Sequence, residues 1–381
     1  MLDSAFLQAC EAAALAWEVP ALAVGVAVGD ETETAAIGCD ADARFRVASI
    51  TKPFTALLTI GLVDAEQPAG VWAPDVRVRH LLSHMSGYDC ELADVDQSLF
   101  EDEPDPLAAQ IPALAAVRRW VGVEQCWSYA NTGYWIAGHL AAKAAGASYE
   151  EALDRRVLRP LGMESTSFDA PPDVPGTGAD ANDGHYPRAR RPSGGLVSNV
   201  ADLLRFGRRL LVEPQMRIVH GKPVAGVYGL GLGGERVGGV EVWGHPGSWG
   251  GYQTMLLTVP DRNAVFVGLT NGSSGAKALD ELENLFFERL LGARRAEPQA
   301  VQLPDEALEE LAGSYANSDG WVEVSYAVGG LSIRFEDNEF HARPIGERTF
   351  EITEGAYIRE RFDFPLEGFA RFGSRLAERV A

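Results

Sequence analysis

The sequence predicts an α+β fold: an antiparallel sheet flanked by helices, an all-helical lobe beside it, and a small antiparallel β-barrel domain after both. Two observations predict it. Within residues 1–292, strand-like runs lie at both ends and leave a helical middle, which suggests one antiparallel sheet beside a helical lobe. Beyond residues 293–304, a stretch rich in Arg, Ala, Glu, Gln and Pro, the apolar period switches to two. The expected division is therefore 1–292, a linker over 293–304, and 305–381. A chain of 381 residues is long enough for one large domain plus a small one.

Taken in order, the chain opens on an amphipathic helix. Met1-Leu2-Asp3-Ser4-Ala5-Phe6 carries no basic segment and Glu11 interrupts the apolar run, so a signal peptide is not expected. Ala21–Gly29 alternates apolar residues and ends at Gly29-Asp30, a hairpin signal. Arg44–Ala48 is strand-like, and an apolar helical run follows through Ala56, Leu57, Leu58, Ile60 and Leu62. Residues 49–212 are mostly helical, with Gly133–Ala145 one helical run. Strands return at Val227–Leu232, Val240–Trp243, Tyr252–Val259 and Ala264–Thr270. The helix Ala276–Leu291 places Leu279, Leu282, Phe286 and Leu290 on one face. After the linker, Val322, Val324 and Tyr326 alternate up to Gly329-Gly330. Leu331, Ile333 and Phe335 alternate up to Asp337-Asn338, and Phe350 with Ile352 and Phe362 with Phe364 continue the pattern. Short strands of this kind form a meander that can close into a barrel.

Composition narrows the function. The net charge of −21 opposes sequence-independent binding to nucleic acid or to an anionic membrane. No apolar run reaches the eighteen or so residues that span a bilayer, and the expected location is the cytoplasm. Four cysteines are too few for a disulfide framework and are expected as buried structural thiols. The seven histidines are scattered. His80 and His84 have i,i+4 spacing but no accompanying ligand pattern, so His84 is expected to be structural and no metal or cofactor is implied.

Three short motifs carry chemistry. Ser49-Ile50-Thr51-Lys52 stands where the strand-like run meets the helix. A serine at a helix N-terminus lies beside free backbone N–H groups and the positive end of the dipole. A lysine three residues on shares its face and, as a neutral amine, can take the hydroxyl proton. Tyr129-Ala130-Asn131 precedes the Gly133 helix and offers a phenol for proton relay and an amide that both donates and accepts. Trp243-Gly244-His245-Pro246-Gly247-Ser248 ends the run Val240–Val242. A polar residue followed by glycine on an edge strand lets backbone approach a substrate closely.

The order S-x-x-K, Y-x-N, H-x-G resembles the serine β-lactamase and penicillin-binding-protein superfamily. It is most similar to the branch related to class C β-lactamases, D-aminopeptidases, DD-peptidases and carboxylesterases. Leu81–Gly87, Arg159–Met163 and Ser193–Ser198 support the match, which covers about residues 5 to 292. The resemblance implies that Ser49 is the acylated nucleophile and that Lys52 is its base, or keeps Tyr129 anionic. It implies that Tyr129 relays the proton and that Asn131 orients the substrate amide. It places His245 and Gly247 in the substrate site, and makes the N–H groups of Ser49 and Ser248 the oxyanion hole. Lys52 and Tyr129 are treated as a coupled pair. Many relatives carry lysine where this chain has His245, and histidine lacks that fixed charge at neutral pH; β-lactams are therefore expected to be poor substrates. The C-terminal strands resemble the lipocalin-like module of some D-aminopeptidase-like enzymes and penicillin-binding-protein-type thioesterases.

Asp89 to Pro106 holds eight carboxylates and no Lys or Arg. It is either a solvated loop or a field that attracts amine-bearing substrates. The expected activity is a serine hydrolase acting on an ester or amide, such as a D-amino-acid peptide, through an acyl-enzyme. The expected partner is a small molecule or short peptide. The alternatives are an acyltransferase or peptide-cyclising thioesterase, and a non-catalytic acyl-binding sensor.

Overall fold

The computed structural model describes residues 3–70, 73–92, 100–182, 184, 186–318, 320–335, 338–355 and 359–380. Helix α1 (Ser4–Ala16) starts where the Asp3 carboxylate accepts from the Phe6 N–H at 2.9 Å, an N-cap that satisfies one orphan donor. The hairpin β1 (Leu22–Val28) and β2 (Glu31–Ile37) follows. Strand β3 (Phe45–Arg46) leads toward α2 (Thr51–Ile60). A small ribbon of β4 (Pro68–Gly70) and β5 (Ala73–Arg77) precedes the helical lobe. That lobe holds α3 (Val78–Leu82), α4 (Pro106–Ala115), α5 (Asn131–Ala145), α6 (Tyr149–Leu153) and α7 (Arg191–Gly194). Strand β6 (Val197–Ser198) pairs with β3, and α8 (Val200–Leu211) returns the chain to the sheet.

The sheet is completed by β7 (Val227–Tyr228), β8 (Gly233–Val237), β9 (Val240–Trp249), β10 (Tyr252–Val259) and β11 (Ala264–Thr270). The order is β2-β1-β11-β10-β9-β8-β7, antiparallel throughout. Both faces of its centre are buried. Val24, Val26 and Phe266 pack with α1 and α9 (Gly275–Leu291), while Ala23, Ala27, Val265 and Val267 pack with α8. The period of two thus serves two cores, and β11 is buried at all seven positions. Gly25 allows the close approach of α8, because a Cβ there would lie 2.3 Å from Val200.

Two strands differ from the sequence expectation. The run Val227–Leu232 is strand only over Val227–Tyr228, because Gly231 turns the chain at φ +79° and its N–H donates to Leu82 O. Strand β9 runs on past Trp243 to Trp249, held by pairing with β10 as far as Tyr252 opposite Trp249.

After α10 (Asp305–Glu309) come β12 (Gly313–Asn317), β13 (Gly320–Ala327), β14 (Gly330–Phe335) and β15 (Asn338–Pro344). They continue into β16 (Thr349–Ile352), β17 (Arg361–Leu366), β18 (Phe369–Phe372) and β19 (Arg375–Arg379). All eight close into a barrel through Tyr315 opposite Arg379 and Ala316 opposite Glu378. Closure gives each of these strands, among the described residues, a partner on both sides. The alternating residues Val322, Val324, Leu331, Ile333, Phe350, Phe362 and Phe364 form its core; Asp337, at the anticipated turn, lies outside the described residues.

The barrel is seated on the segment that leads into Tyr129. Leu376 packs on Val121 and Cys126, and its N–H donates to Ser128 Oγ at 3.1 Å. The buried Arg371 makes a bidentate pair with Asp363 and donates to Trp127 O at 2.8 Å and Lys222 O at 3.1 Å. Tyr129 N–H donates to Ser374 O at 2.9 Å.

Candidate active site

Ser49 lies in a single 3₁₀ turn, Ala48–Ile50, that runs directly into α2. The chain reaches it through Val47, whose N–H donates to Leu196 O, and then Ala48, a non-glycine residue at φ +45°. Conformations of this kind are costly and cluster at functional sites. One helical turn on, Lys52 is completely buried. Its Nζ lies 3.1 Å from Ser49 Oγ and donates to Ser193 O at 2.7 Å. Burial pulls Lys52 down to about 7; Cys90 and Glu91 oppose the fall, and Arg375 and Arg190 add to it.

Tyr129 reaches the same oxygen from the segment just before α5, its hydroxyl 3.0 Å from Ser49 Oγ. Burial holds its phenol well above the usual tyrosine range. Lys52 Nζ sits 4.7 Å from the centre of the Tyr129 ring. His84 backs that ring at 4.3 Å, and its Nδ1 accepts from the Ala130 N–H at 3.0 Å. Burial pushes His84 well below the normal histidine range, so the neutral ring serves as a wall and an anchor for the turn.

Asn131 opens α5, and its Nδ2 donates to Glu91 Oε1. Glu91 in turn accepts from Arg190 Nη2 at 2.9 Å, so the amide is oriented from behind by an ion pair. His245 is buried within β9, and its Nδ1 lies 2.5 Å from Pro246 O. A carbonyl can only accept, so Nδ1 carries the proton and Nε2 is left as an acceptor. Burial, and after it the Lys52 charge, lowers His245 to about 3. Gly247 is tight: a Cβ would lie 2.3 Å from Val47 O, which pins β9 beside the Ser49 turn.

The edge-strand expectation is corrected in one respect. Strand β9 is interior to the sheet order, flanked by β8 and β10. Pairing with β8 stops at Gly244. Among the described residues no strand pairs with the outer edge of His245–Trp249, where Ser248 stands opposite Gln253.

The structure thus brings Ser49, Lys52 and Tyr129 into hydrogen-bond range and sets Asn131, His245, Gly247 and Ser248 on the elements around them. Sequence reasoning missed Arg375. It lies in the barrel at the start of β19, and its charge is felt at Lys52, Tyr129 and His84. The one local signal was the Gly373-Ser374 turn between two alternating runs, which marks a hairpin but not what it touches.

Within the acidic stretch, Asp94 and Asp96 lie outside the described residues. Asp89 is buried and accepts from Ser318 Oγ at 2.7 Å. Glu91 holds Asn131 and Arg190, Glu101 accepts from the Arg188 N–H at 2.5 Å, and Asp105 caps α4 through the Ala108 N–H. Four of its carboxylates hold defined partners, which the picture of a purely solvated loop did not include. The four cysteines are free thiols, three of them buried. Among the described residues no group of three or more His, Cys, Asp or Glu could hold a metal ion. No helix there is long and apolar enough to cross a membrane.

An antiparallel sheet, a helical lobe and a serine–lysine–tyrosine cluster define the class of serine-reactive enzymes with a β-lactamase-type fold. The chain belongs to the Beta-lactamase family, which residues 7–286 match. It is 28% identical over 365 residues to Penicillin-binding protein 4 of Amycolatopsis lactamdurans, covering 79% of this chain and 94% of the relative. A crystal structure of SurE shares the fold over 99% of this chain and 98% of its own, with a TM-score of 0.80 and 23% identity. A D-stereospecific amidohydrolase from Streptomyces sp. is 25% identical, with a TM-score of 0.57, over 73% of this chain and 97% of its own.

Proposed function

We propose that the protein is a serine hydrolase that forms an acyl-enzyme on Ser49 with an ester or amide, and that D-amino-acid derivatives are its substrate class. One observation carries the reading: Ser49 Oγ lies 3.1 Å from Lys52 Nζ and 3.0 Å from Tyr129 OH in a buried setting. Neutral Lys52 accepts the Ser49 proton as Oγ attacks the carbonyl carbon. The developing oxyanion is received by the Ser49 and Ser248 N–H groups. Tyr129 hands the proton on to the leaving group, and water then cleaves the ester on Ser49. Asn131, steadied by Glu91, positions the substrate amide, and His245 offers an acceptor to a substrate N–H or O–H. Residues 1–292 carry this chemistry and 305–381 form the accessory barrel. The likeness to the D-stereospecific amidohydrolase supports the choice of D-amino-acid amides.

A fluorophosphonate is expected to label Ser49 alone, read by intact mass and peptide mapping; label retained in Ser49→Ala would sink the assignment. The substrate class is tested by a panel of D- and L-amino-acid amides, neutral esters and β-lactams. Repeating it with added amines separates hydrolysis from aminolysis. Activity should also follow the Lys52 amine. With its folded value at about 7, kcat/KM should rise about tenfold per pH unit below 7 and level off above it. Because burial raises Tyr129, no falling limb from its ionisation is expected before about pH 10. A flat profile between pH 5 and 8 would rule out Lys52 as the base.

A further inference from the structure

The C-terminal barrel is not filled by its own side chains. A cavity of about 320 Å³ remains inside it, lined by Val322, Ile333, Phe340, Phe362 and Phe372, with Arg375 among its polar groups. Small eight-stranded barrels either pack their interior with side chains or hold a ligand. The cavity opens to solvent, its lining is largely apolar with Asn317, Glu360, Arg361 and Arg375 at its polar parts, and its volume lies in the range of small-molecule sites.

The cavity lies at one end of the barrel. In an up-and-down barrel successive turns alternate between the two ends, so the β12–β13 and β18–β19 turns share an end. That end is docked on the catalytic domain. Ser318, after β12, donates to Asp89 at 2.7 Å, two residues from the Glu91 that holds Asn131. Ser374, between β18 and β19, accepts from the Tyr129 N–H at 2.9 Å. Its neighbours Gly373 and Arg375 line the cavity, and the Arg375 charge reaches Lys52. The apolar chamber and the Ser49 cluster therefore stand on the two sides of one short hairpin.

We propose that the barrel interior binds the apolar chain of the substrate that reacts at Ser49, a proposal that rests on the serine-hydrolase reading above. The barrel then acts as a measuring chamber: a long chain gains apolar burial there that a short one cannot.

The test uses the full chain and two ester pairs. Para-nitrophenyl acetate and decanoate lengthen the acyl side, and ethyl and decyl acetate lengthen the alcohol side. The wild type should favour the long member of one pair by at least tenfold in kcat/KM, and the pair that responds tells which side enters the barrel. Ile333→Trp and Val322→Phe, which fill the cavity from different strands, should bring that ratio to about one. The ratio is internal to each protein, so a partly folded variant does not mimic the effect. Separately, decanoic acid should bind Ser49→Ala in calorimetry and not bind Ser49→Ala combined with Ile333→Trp. Such binding, with no ester hydrolysed by the wild type, supports the cavity and overturns the hydrolase reading alone. Hydrolysis without chain-length preference, or a preference that survives in both filled variants, overturns the proposal.

Discussion

Lys52→Met should abolish turnover and raise the melting temperature of the same protein. Lys52 is fully buried and drops from 10.5 to about 7 on folding. Between those values the unfolded chain binds a proton that the folded chain does not. The lysine therefore opposes folding, fully below pH 7 and progressively less as pH rises toward 10.5. A shift of that size corresponds to roughly 5 kcal/mol. Methionine fills similar space without the charge, but Ser193 O loses its donor, which costs about 1–3 kcal/mol. A net gain of roughly 2–4 kcal/mol remains. On the proposed mechanism turnover should fall by at least about 10³, because Lys52 would act as one unit with Ser49 and Tyr129. Thermal melts at pH 7 and pH 10 check the account. The variant should melt higher at pH 7, and the gap should narrow at pH 10. A variant that melts lower at both would show that the buried amine is not a stability cost.

Arg371→Ala should have the opposite effect on stability and also reduce activity. This arginine leaves barrel strand β18, pairs with Asp363, and ends on the carbonyls of Trp127 and Lys222. Both members of the pair are largely buried. Removing one partner leaves an uncompensated charge, at about 3–5 kcal/mol. It also frees the segment that presents Tyr129, so kcat should fall while Ser49 stays in place. Adding Asp363→Asn should restore part of the stability, because the stranded charge disappears. Urea titration of wild type, single and double variants measures this. If the single variant matches wild type, or the double is no better than the single, the arginine is not the clamp described.

The local half of the site was legible because its parts are close in sequence. Ser49 and Lys52 are three residues apart on one helical turn, so spacing alone places them on one face. The strands of the sheet and barrel were legible from period two, and the helix Gly275–Leu291 from its apolar stripe. The end of β9 was misjudged, because whether His245–Trp249 is strand depends on β10 pairing beyond it, and a His-Pro-Gly run has the composition of a turn.

By itself, the sequence determined the family and the two architectures and singled out Ser49 as the candidate nucleophile, since each rests on local spacing, on periodicity or on motifs short enough to read in one stretch. Tertiary structure alone decided the protonation chemistry, because burial, not residue type, brings Lys52 to about 7 and His245 to about 3. The motif order had already named Tyr129 as a partner of Ser49; only the fold shows its hydroxyl, eighty residues on in sequence, 3.0 Å from the same oxygen. The fold alone brought the barrel to the cluster, through closure of the barrel and the docking of the Ser374 carbonyl on the Tyr129 backbone. Local pattern records which face of an element is apolar; dielectric environment and long-range contact exist only once those faces have been buried against each other.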